Sequence, residues 1–348
     1  MSSHTFSMSF DAHAGRRPRW PWWASVGVCV ALMLAVPLYA DTALQLDLSL
    51  VMILSLLALS MGLLWGYVGI LSFGQTIFFG LGGYAYALFS LNTDLPVVAF
   101  ALAAIVPMFF AVLLGYFMMF GRISDIYLSV ITLVVTLIFE KGVRATSGPE
   151  YVIGTVRLNG QNGIPGVPGL PLRIGPLDLQ SIEGIFYLAL FFLALAYVGI
   201  RLFLARPTGR VLVGLRENDK RMELLGYDSR LYKLMAFVIS GGLAGLAGGL
   251  YALWGNFVGP EMFSLNQAAM VVIWVIVGGR SILAGPIIGT LLIQYLTTWL
   301  GTVGVGQVTL ALGFILIVCV LLFPQGLAPA CQRLIARLAP RRRAGGER

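Results

Sequence analysis

Residues 48–76 read LSLVMILSLLALSMGLLWGYVGILSFGQT. The part up to Gly66 carries no charge and is apolar with few interruptions, close to the roughly 20 residues a helix needs to cross hydrocarbon. The part that follows is different: Gly66, Gly69 and Gly74 bracket Ser72 and Gln75. Glycines at that density break a helix or turn it back into the bilayer. Irregular backbone at that depth is tolerated only where protein covers it or where it lines a cavity. The stretch therefore predicts an all-α integral membrane protein with broken or re-entrant glycine-rich segments.

Composition agrees. Of 348 residues, 58% are hydrophobic and 11% charged, with a mean hydropathy of +0.89. Soluble domains run nearer 45–50% apolar and about 25% charged, and a chain this apolar folded in water would expose large greasy patches. Long continuous apolar runs without strict alternation favour helices over a β-barrel. Cys29, Cys319 and Cys331 are too scattered for a metal site or a disulfide framework. His4 and His13 precede the first apolar run, so no histidine relay or zinc motif falls within the membrane.

Ten apolar segments are expected, at 22–40, 48–66, 73–91, 95–120, 124–141, 182–204, 234–255, 265–279, 282–300 and 308–323, giving about ten transmembrane helices. Leu38-Tyr39-Ala40 loosely resembles a signal-peptide cleavage site, but the next segment starts so soon that a retained helix is preferred. With the N terminus in the cytoplasm, all but four of the 23 basic residues fall on cytoplasmic pieces, the four being Lys141, Arg144, Arg157 and Arg173. That is the positive-inside pattern, with both N and C termini cytoplasmic. It also explains the net charge of +8 without nucleic acid. The expected organisation is a cytoplasmic N-terminal tail (1–21), a polytopic membrane domain (22–327) and a basic cytoplasmic C-terminal tail (328–348).

Two loops stand out. The outer loop 142–181 is rich in Gly and Pro, including Asn159-Gly160-Gln161-Asn162-Gly163-Ile164-Pro165-Gly166. It reads as a turn-rich connector or as a docking surface for something outside. In the cytoplasmic loop 205–233, Val211, Leu215, Met222, Leu225 and Leu234 recur at near-helical spacing among Arg216, Glu217, Asp219, Lys220, Arg221 and Glu223. One amphipathic helix is expected there, ended by Gly226 and turned by Tyr227-Asp228. A lipid-binding helix is usually basic without matching acids. Glu217, Asp219, Glu223 and Asp228 favour a cytoplasmic partner over lipid headgroups.

What is missing narrows the function. Intramembrane charges usually mark ion or proton coupling. None lies inside 48–91, 234–260 or 281–323, and Asp125 and Glu140 sit where Arg122 and Lys141 can neutralise them. A proton- or sodium-driven carrier is disfavoured. A Walker A loop needs a Gly-Lys pair, and Lys141, Lys220 and Lys233 all lack a preceding glycine. The chain is not the ATPase, and its buried parts offer no nucleophile with a base, so no catalytic residue is expected. A transporter without an ion couple or an ATPase, but with a partner-type helix, points to a separate ATPase chain.

Glycines also cluster in 241–249 (GGLAGLAGG) and in Val277-Gly278-Gly279-Arg280-Ser281 with Gly285-Pro286-Ile287-Ile288-Gly289. The first cluster reads as close helix packing. The second, with 66–76, has the pattern of a discontinuous-helix site, where Ser72, Gly74, Gln75, Gly278 and Gly279 would line a translocation path for a small polar solute. GLGGYAYALFSL (80–91) is faintly like GLAGGLYALWG (245–255), hinting at a duplicated half.

GYVGILSFGQTIFFGLGGYAYA (66–87), GRVLVGLRENDKRMELLGYDSRLYKLMAF (209–237), GLAGLAGGLYAL (242–253), VGGRSILAGPIIGT (277–290) and LFPQGL (322–327) together resemble the permeases of branched-chain amino acid (LIV-type) ABC transporters. The resemblance covers roughly 48–327, with the motifs in order. It implies bacterial import across the inner membrane. A second, paralogous permease would complete the pore, two ABC ATPase subunits would bind the ATP, and a periplasmic binding protein would deliver the solute. No cofactor is implied for this chain itself. Arg216, Glu217, Asn218, Asp219, Gly226, Tyr227 and Asp228 match the family's ATPase-coupling segment. Gln75 stands where family members commonly show a histidine. IWVIVGGRSILAGP (273–286) also looks like the urea and short-chain amide branch, which stays open as an alternative cargo. A stand-alone channel or ion-coupled carrier is the alternative from another class.

Overall fold

The computed structural model describes residues 22–302 apart from 94, 122, 175 and 176, together with 310, 313–314, 317, 321 and 326–329. The segment expected at 308–323 and both tails lie largely outside the described residues. The protein is mostly helical. In chain order the helices are α1 (Trp22–Ala35), α2 (Thr42–Leu63), α3 (Gln75–Asn92), α4 (Pro96–Phe120), α5 (Asp125–Ala145), α6 (Ile182–Ala205), α7 (Pro207–Glu217), α8 (Asp219–Leu224), α9 (Ser229–Gly255), α10 (Leu265–Gly278) and α11 (Gly285–Thr302). Each apolar segment expected before residue 303 coincides with one of them. Five are long and apolar enough to cross a membrane: α2 with the turn that follows it, α4, α5, α6 and α9. In α3, the Gly, Tyr and polar residues that pack against protein dilute the hydropathy a lipid-facing span would carry.

Helices α2 and α9 are the centre, and most of their surface is buried, whereas α4, α5 and α6 turn most of theirs outward. Helices α3 and α4 pack on α9, while α6, α10 and α11 pack on α2. Lipid is as apolar as leucine, so association here depends on close approach rather than on the hydrophobic effect. The 241–249 glycines supply it. A Cβ on Gly82 would collide with the Gly245 backbone, and one on Gly248 with the Phe79 carbonyl. The two similar glycine stretches noted in the sequence thus face each other. On its other side Gly245 meets Ala103 O and the Pro107 ring of α4. Pro107 lacks the N–H that would engage Ala103 O within the helix.

The loop 142–181 is folded onto the bundle. It forms hairpins β1 (Val152–Ile153) with β2 (Val156–Arg157) and β4 (Arg173–Ile174) with β5 (Leu177–Asp178), while β3 (Ile164–Pro165) pairs antiparallel with β6 (Phe257–Val258) just past α9. Tyr86 Oη donates to Pro168 O at 2.7 Å, and Asn92 joins Ile153 O and the Thr155 amide at 3.0 and 2.7 Å. Ile164, Val167, Leu170 and Leu179 are buried beneath it. Glu140 pairs with Arg144 at 3.1 Å rather than with Lys141. Residues four apart share a helix face, and adjacent ones do not.

Overpacking of this kind costs about 1–3 kcal/mol and more when backbone must move. Gly82→Leu should therefore cut the monodisperse fraction recovered in mild detergent and lower its melting temperature. Gly199→Leu, on α6 with open space around it, should leave both within error.

Candidate functional site: a helix break joined to the 205–233 loop

After Leu63 the α-helix widens to a single π-type turn, Leu64–Val68, and stops at Gly69 (φ +90°), which a residue with a side chain adopts only under strain. Residues 69–74 are not helical, and α3 begins at Gln75. Gln75 Oε1 lies 2.9 Å from Ser60 Oγ and 3.2 Å from Ser240 Oγ. Ser240 is eleven residues into the 27-residue α9, or roughly 16 Å along it at about 1.5 Å per residue. Helix α3 thus starts near mid-depth, and the broken segment climbs to that level from the end of the bundle that carries 205–233.

Backbone groups exposed by the break are satisfied from α5. Ser129 Oγ donates to Leu71 O at 2.7 Å, Thr132 Oγ1 accepts from the Phe73 amide at 3.1 Å, and Thr136 Oγ1 lies 3.2 Å from Phe73 O. Ser72 Oγ accepts from the Gly74 amide at 3.2 Å. Ser72 and Gln75 are both buried. The α5 hydroxyls were missed by the sequence reading. Their signal was the 3-4 spacing of Ser129, Thr132 and Thr136 inside an apolar run, which marks one helix face.

The Gln75 cluster has a proton count worth following. Ser60 Oγ also reaches Leu57 O at 2.6 Å, and Ser240 Oγ reaches Ser60 O at 2.7 Å. Each hydroxyl has one proton, and those shorter bonds use both. The amide atom between the hydroxyls must then donate, so the proton count favours Nε2 there, with the amide turned about its axis. As placed, the amide's other polar atom, Nε2, is buried with no partner among the described residues.

The loop 205–233 is not one helix but two. Asn218 leaves helical geometry (φ −163°, ψ 99°), and its side chain caps α8 by accepting from the Arg221 amide at 2.9 Å. This local bond competes with continuing the helix. Helix α7 buries Val211, Leu212 and Leu215 against the protein, whereas none of the residues of α8 is buried. Leu224 and Leu225 are 89% and 67% exposed at the tip. Leu225 was expected on the packed face, and the break at Asn218 rotates it outward. Gly226 (φ +88°) ends α8, and Asp228 caps α9 by accepting from the Arg230 amide. Glu217, Asn218, Gly226, Tyr227 and Asp228 are exposed. Asp219 turns back to pair with Lys233 of α9, and Glu223 accepts from Ser229 Oγ at 2.5 Å.

Arg216 points the other way, into the bundle, where its guanidinium donates to Gly66 O and its stem lies over Gly69. On another side of the same turn, Gly66 meets the Arg280 carbonyl and the Arg280 cation lies 5.5 Å from the Trp65 ring. Gly278 and Gly279 pack against the backbones of Gly285 and Gly326. The structure therefore brings Gly66, Arg216 and Arg280 together, while Gln75 groups with Ser60 and Ser240. Among the described residues no group of His, Cys, Asp and Glu is placed to hold a metal ion.

Residues 46–321 match the family described as the permease component of branched-chain amino acid transport systems. The chain belongs to that family. It is 28% identical over 304 residues to the high-affinity branched-chain amino acid transport system permease protein LivM of Escherichia coli (strain K12), which covers 81% of this chain and 69% of that protein. LivM of Salmonella typhimurium is also 28% identical, over 302 residues with the same coverage. A shorter likeness, 28% over 139 residues, relates 39% of the chain to 40% of the autoinducer 2 import system permease protein LsrC of Salmonella typhi. No solved structure matches. As a member of this permease family with several membrane-length apolar helices, the chain is a multi-pass membrane protein working within an ABC transporter.

Thr132→Val keeps shape but strands the Phe73 amide, which should cost about 1–3 kcal/mol and appear as a lowered melting temperature. Asn218→Ala removes the α8 cap, a loss of about 1 kcal/mol, and should speed amide exchange across 219–225 without changing the melting temperature of the bundle.

Proposed function

We propose that this permease forms the translocation path for branched-chain or other hydrophobic amino acids in a bacterial importer of the inner membrane. Ten crossings with both ends in the cytoplasm is its topology. A second, paralogous permease completes the pore, two separate ATPase subunits bind and hydrolyse ATP, and a periplasmic binding protein presents the solute at the 142–181 end. No cofactor is held by this chain. The cargo reading rests on the family and on the likeness to LivM over most of both chains.

The observation that best supports coupling to an ATPase is the exposed tip of α8. Leu224 and Leu225 stand out with Tyr227 beside acidic and basic residues, and an apolar anchor with a polar rim is how a partner groove is engaged. Ser72, Gly74, Gln75, Gly278 and Gly279 are assigned to the path. The uncommitted Gln75 amide atom at mid-depth would be met by water or by the polar end of a passing solute.

Uptake of labelled leucine by cells with and without the gene, before and after ATP depletion, tests this directly. Gene-dependent uptake that disappears with ATP is expected. Uptake that survives ATP depletion would contradict it, and loss of urea uptake alone would keep the machine and change its cargo. Leu224→Asp with Leu225→Asp should abolish co-purification of the ATPase subunits while the chain still inserts at normal level. Glu217→Ala is a cleaner probe of the rim than Asp219→Ala, because the latter also removes the ion pair that ties α8 to the buried Lys233 of α9.

A further inference from the structure

We infer that Arg216 is a positioning residue that carries movement of the 205–228 segment to the helix break, by holding the Gly66 carbonyl rather than by touching the ATPase. The inference rests on the permease reading above and deepens it. Three observations carry it.

The first is direction. Arg216 is the last basic residue of α7, adjacent to Glu217 and Asn218, both of which face outward, yet its guanidinium turns inward and donates to Gly66 O. An arginine serving only as a partner contact would extend into water, where its charge is best solvated.

The second is the chemistry of the acceptor. Gly66 O lies in the π-type turn where α2 ends, and beyond Gly69 the chain leaves helical geometry, so this is where the chain is least able to satisfy its own carbonyls. A guanidinium is always charged and its fork is rigid, which fixes the distance between α7 and the turn better than a flexible ammonium would. Gly69 eases the approach, since a Cβ there would lie 3.2 Å from Arg216 Cγ, a tight contact.

The third is that the turn is held on other sides as well. Gly66 abuts the Arg280 carbonyl of the connector between α10 and α11, and the segment 71–73 is bonded to α5. Helix α8 in turn is tied to α9 by Asp219–Lys233 and Glu223–Ser229. A push on the α8 tip therefore reaches the bundle by two routes, α8 to α9 and α7 through Arg216 to the break. The first reaches Gln75 through the Ser240 side chain of α9, and the second ends on the backbone of the broken segment itself.

The test uses the assembled transporter with Arg216→Met, which keeps the apolar stem over Gly69 and removes only the donors, and with Arg216→Lys, which restores one donor and the charge. Arg216→Met should insert and retain the ATPase subunits, lower ATP-driven uptake about tenfold, as expected for losing one charge-assisted bond, and speed amide exchange at 66–73. Arg216→Lys should recover part of both. Uptake within roughly twofold of wild type, or unchanged exchange at 66–73, would overturn the inference. So would loss of ATPase co-purification in Arg216→Met, which would make Arg216 a partner contact. The exchange arm needs no transported solute. A wild-type complex without ATP-driven uptake would therefore fault the permease reading, whereas unchanged exchange faults the role of Arg216.

Discussion

The fold turns on a single constraint: backbone polar groups at mid-depth in a membrane have no water to bond, so any break in a helix must be satisfied by the protein itself. Residues 66–74 are such a break. Gly66 O is held by Arg216, Leu71 O by Ser129, and the Phe73 amide by Thr132. Left unpaired, these groups would cost about 1–3 kcal/mol each. Their sum approaches the net stability of an ordinary domain, about 5–15 kcal/mol. The break therefore cannot exist without α5 and α7 in place, which ties two peripheral helices to the central pair α2 and α9.

That dependence explains why a weakly packed helix such as α5 is positioned at all. Most of its surface faces outward, and in lipid its apolar side chains gain little from meeting protein. Hydrogen bonds from one hydroxyl-bearing stripe hold it instead. The opposite strategy holds α3 to α9, where glycines let backbones touch and dispersion is gained over a close crossing. At the other end, β3–β6 and the Tyr86–Pro168 bond clamp the 142–181 loop over the ends of α3 and α9.

Much of this was legible in the residues. Apolar runs gave every helix before residue 303 except α7 and α8, and the glycine density at 66–76 gave the break, because both are local properties of the chain. Gly226 ended its helix as its conformational freedom suggests. The division of 205–233 into α7 and α8 was not read, although its cause, a capping Asn218, is also local; the hydrophobic spacing across it was regular enough to hide the cap. Three-dimensional pairings were beyond reach. Nothing in spacing says that Arg216 meets Gly66 across 150 positions, that Glu140 chooses Arg144, or that Ser60 and Ser240 converge on Gln75. The α5 stripe was visible but lacked meaning until its partners were placed.

In functional terms the molecule joins a segment exposed at one end, with the apolar tip Leu224–Leu225, to a re-entrant turn that leads to a polar cluster at mid-depth. The link is short and made of named bonds, so it can be observed directly. The measurement closest to the central claim is hydrogen–deuterium exchange of the assembled transporter with and without a non-hydrolysable ATP analogue. Exchange at 64–74 should change together with that at 216–228 when nucleotide binds. A change confined to 216–228, with 64–74 unaltered, would contradict the claim that the helix break is driven from the 205–228 segment.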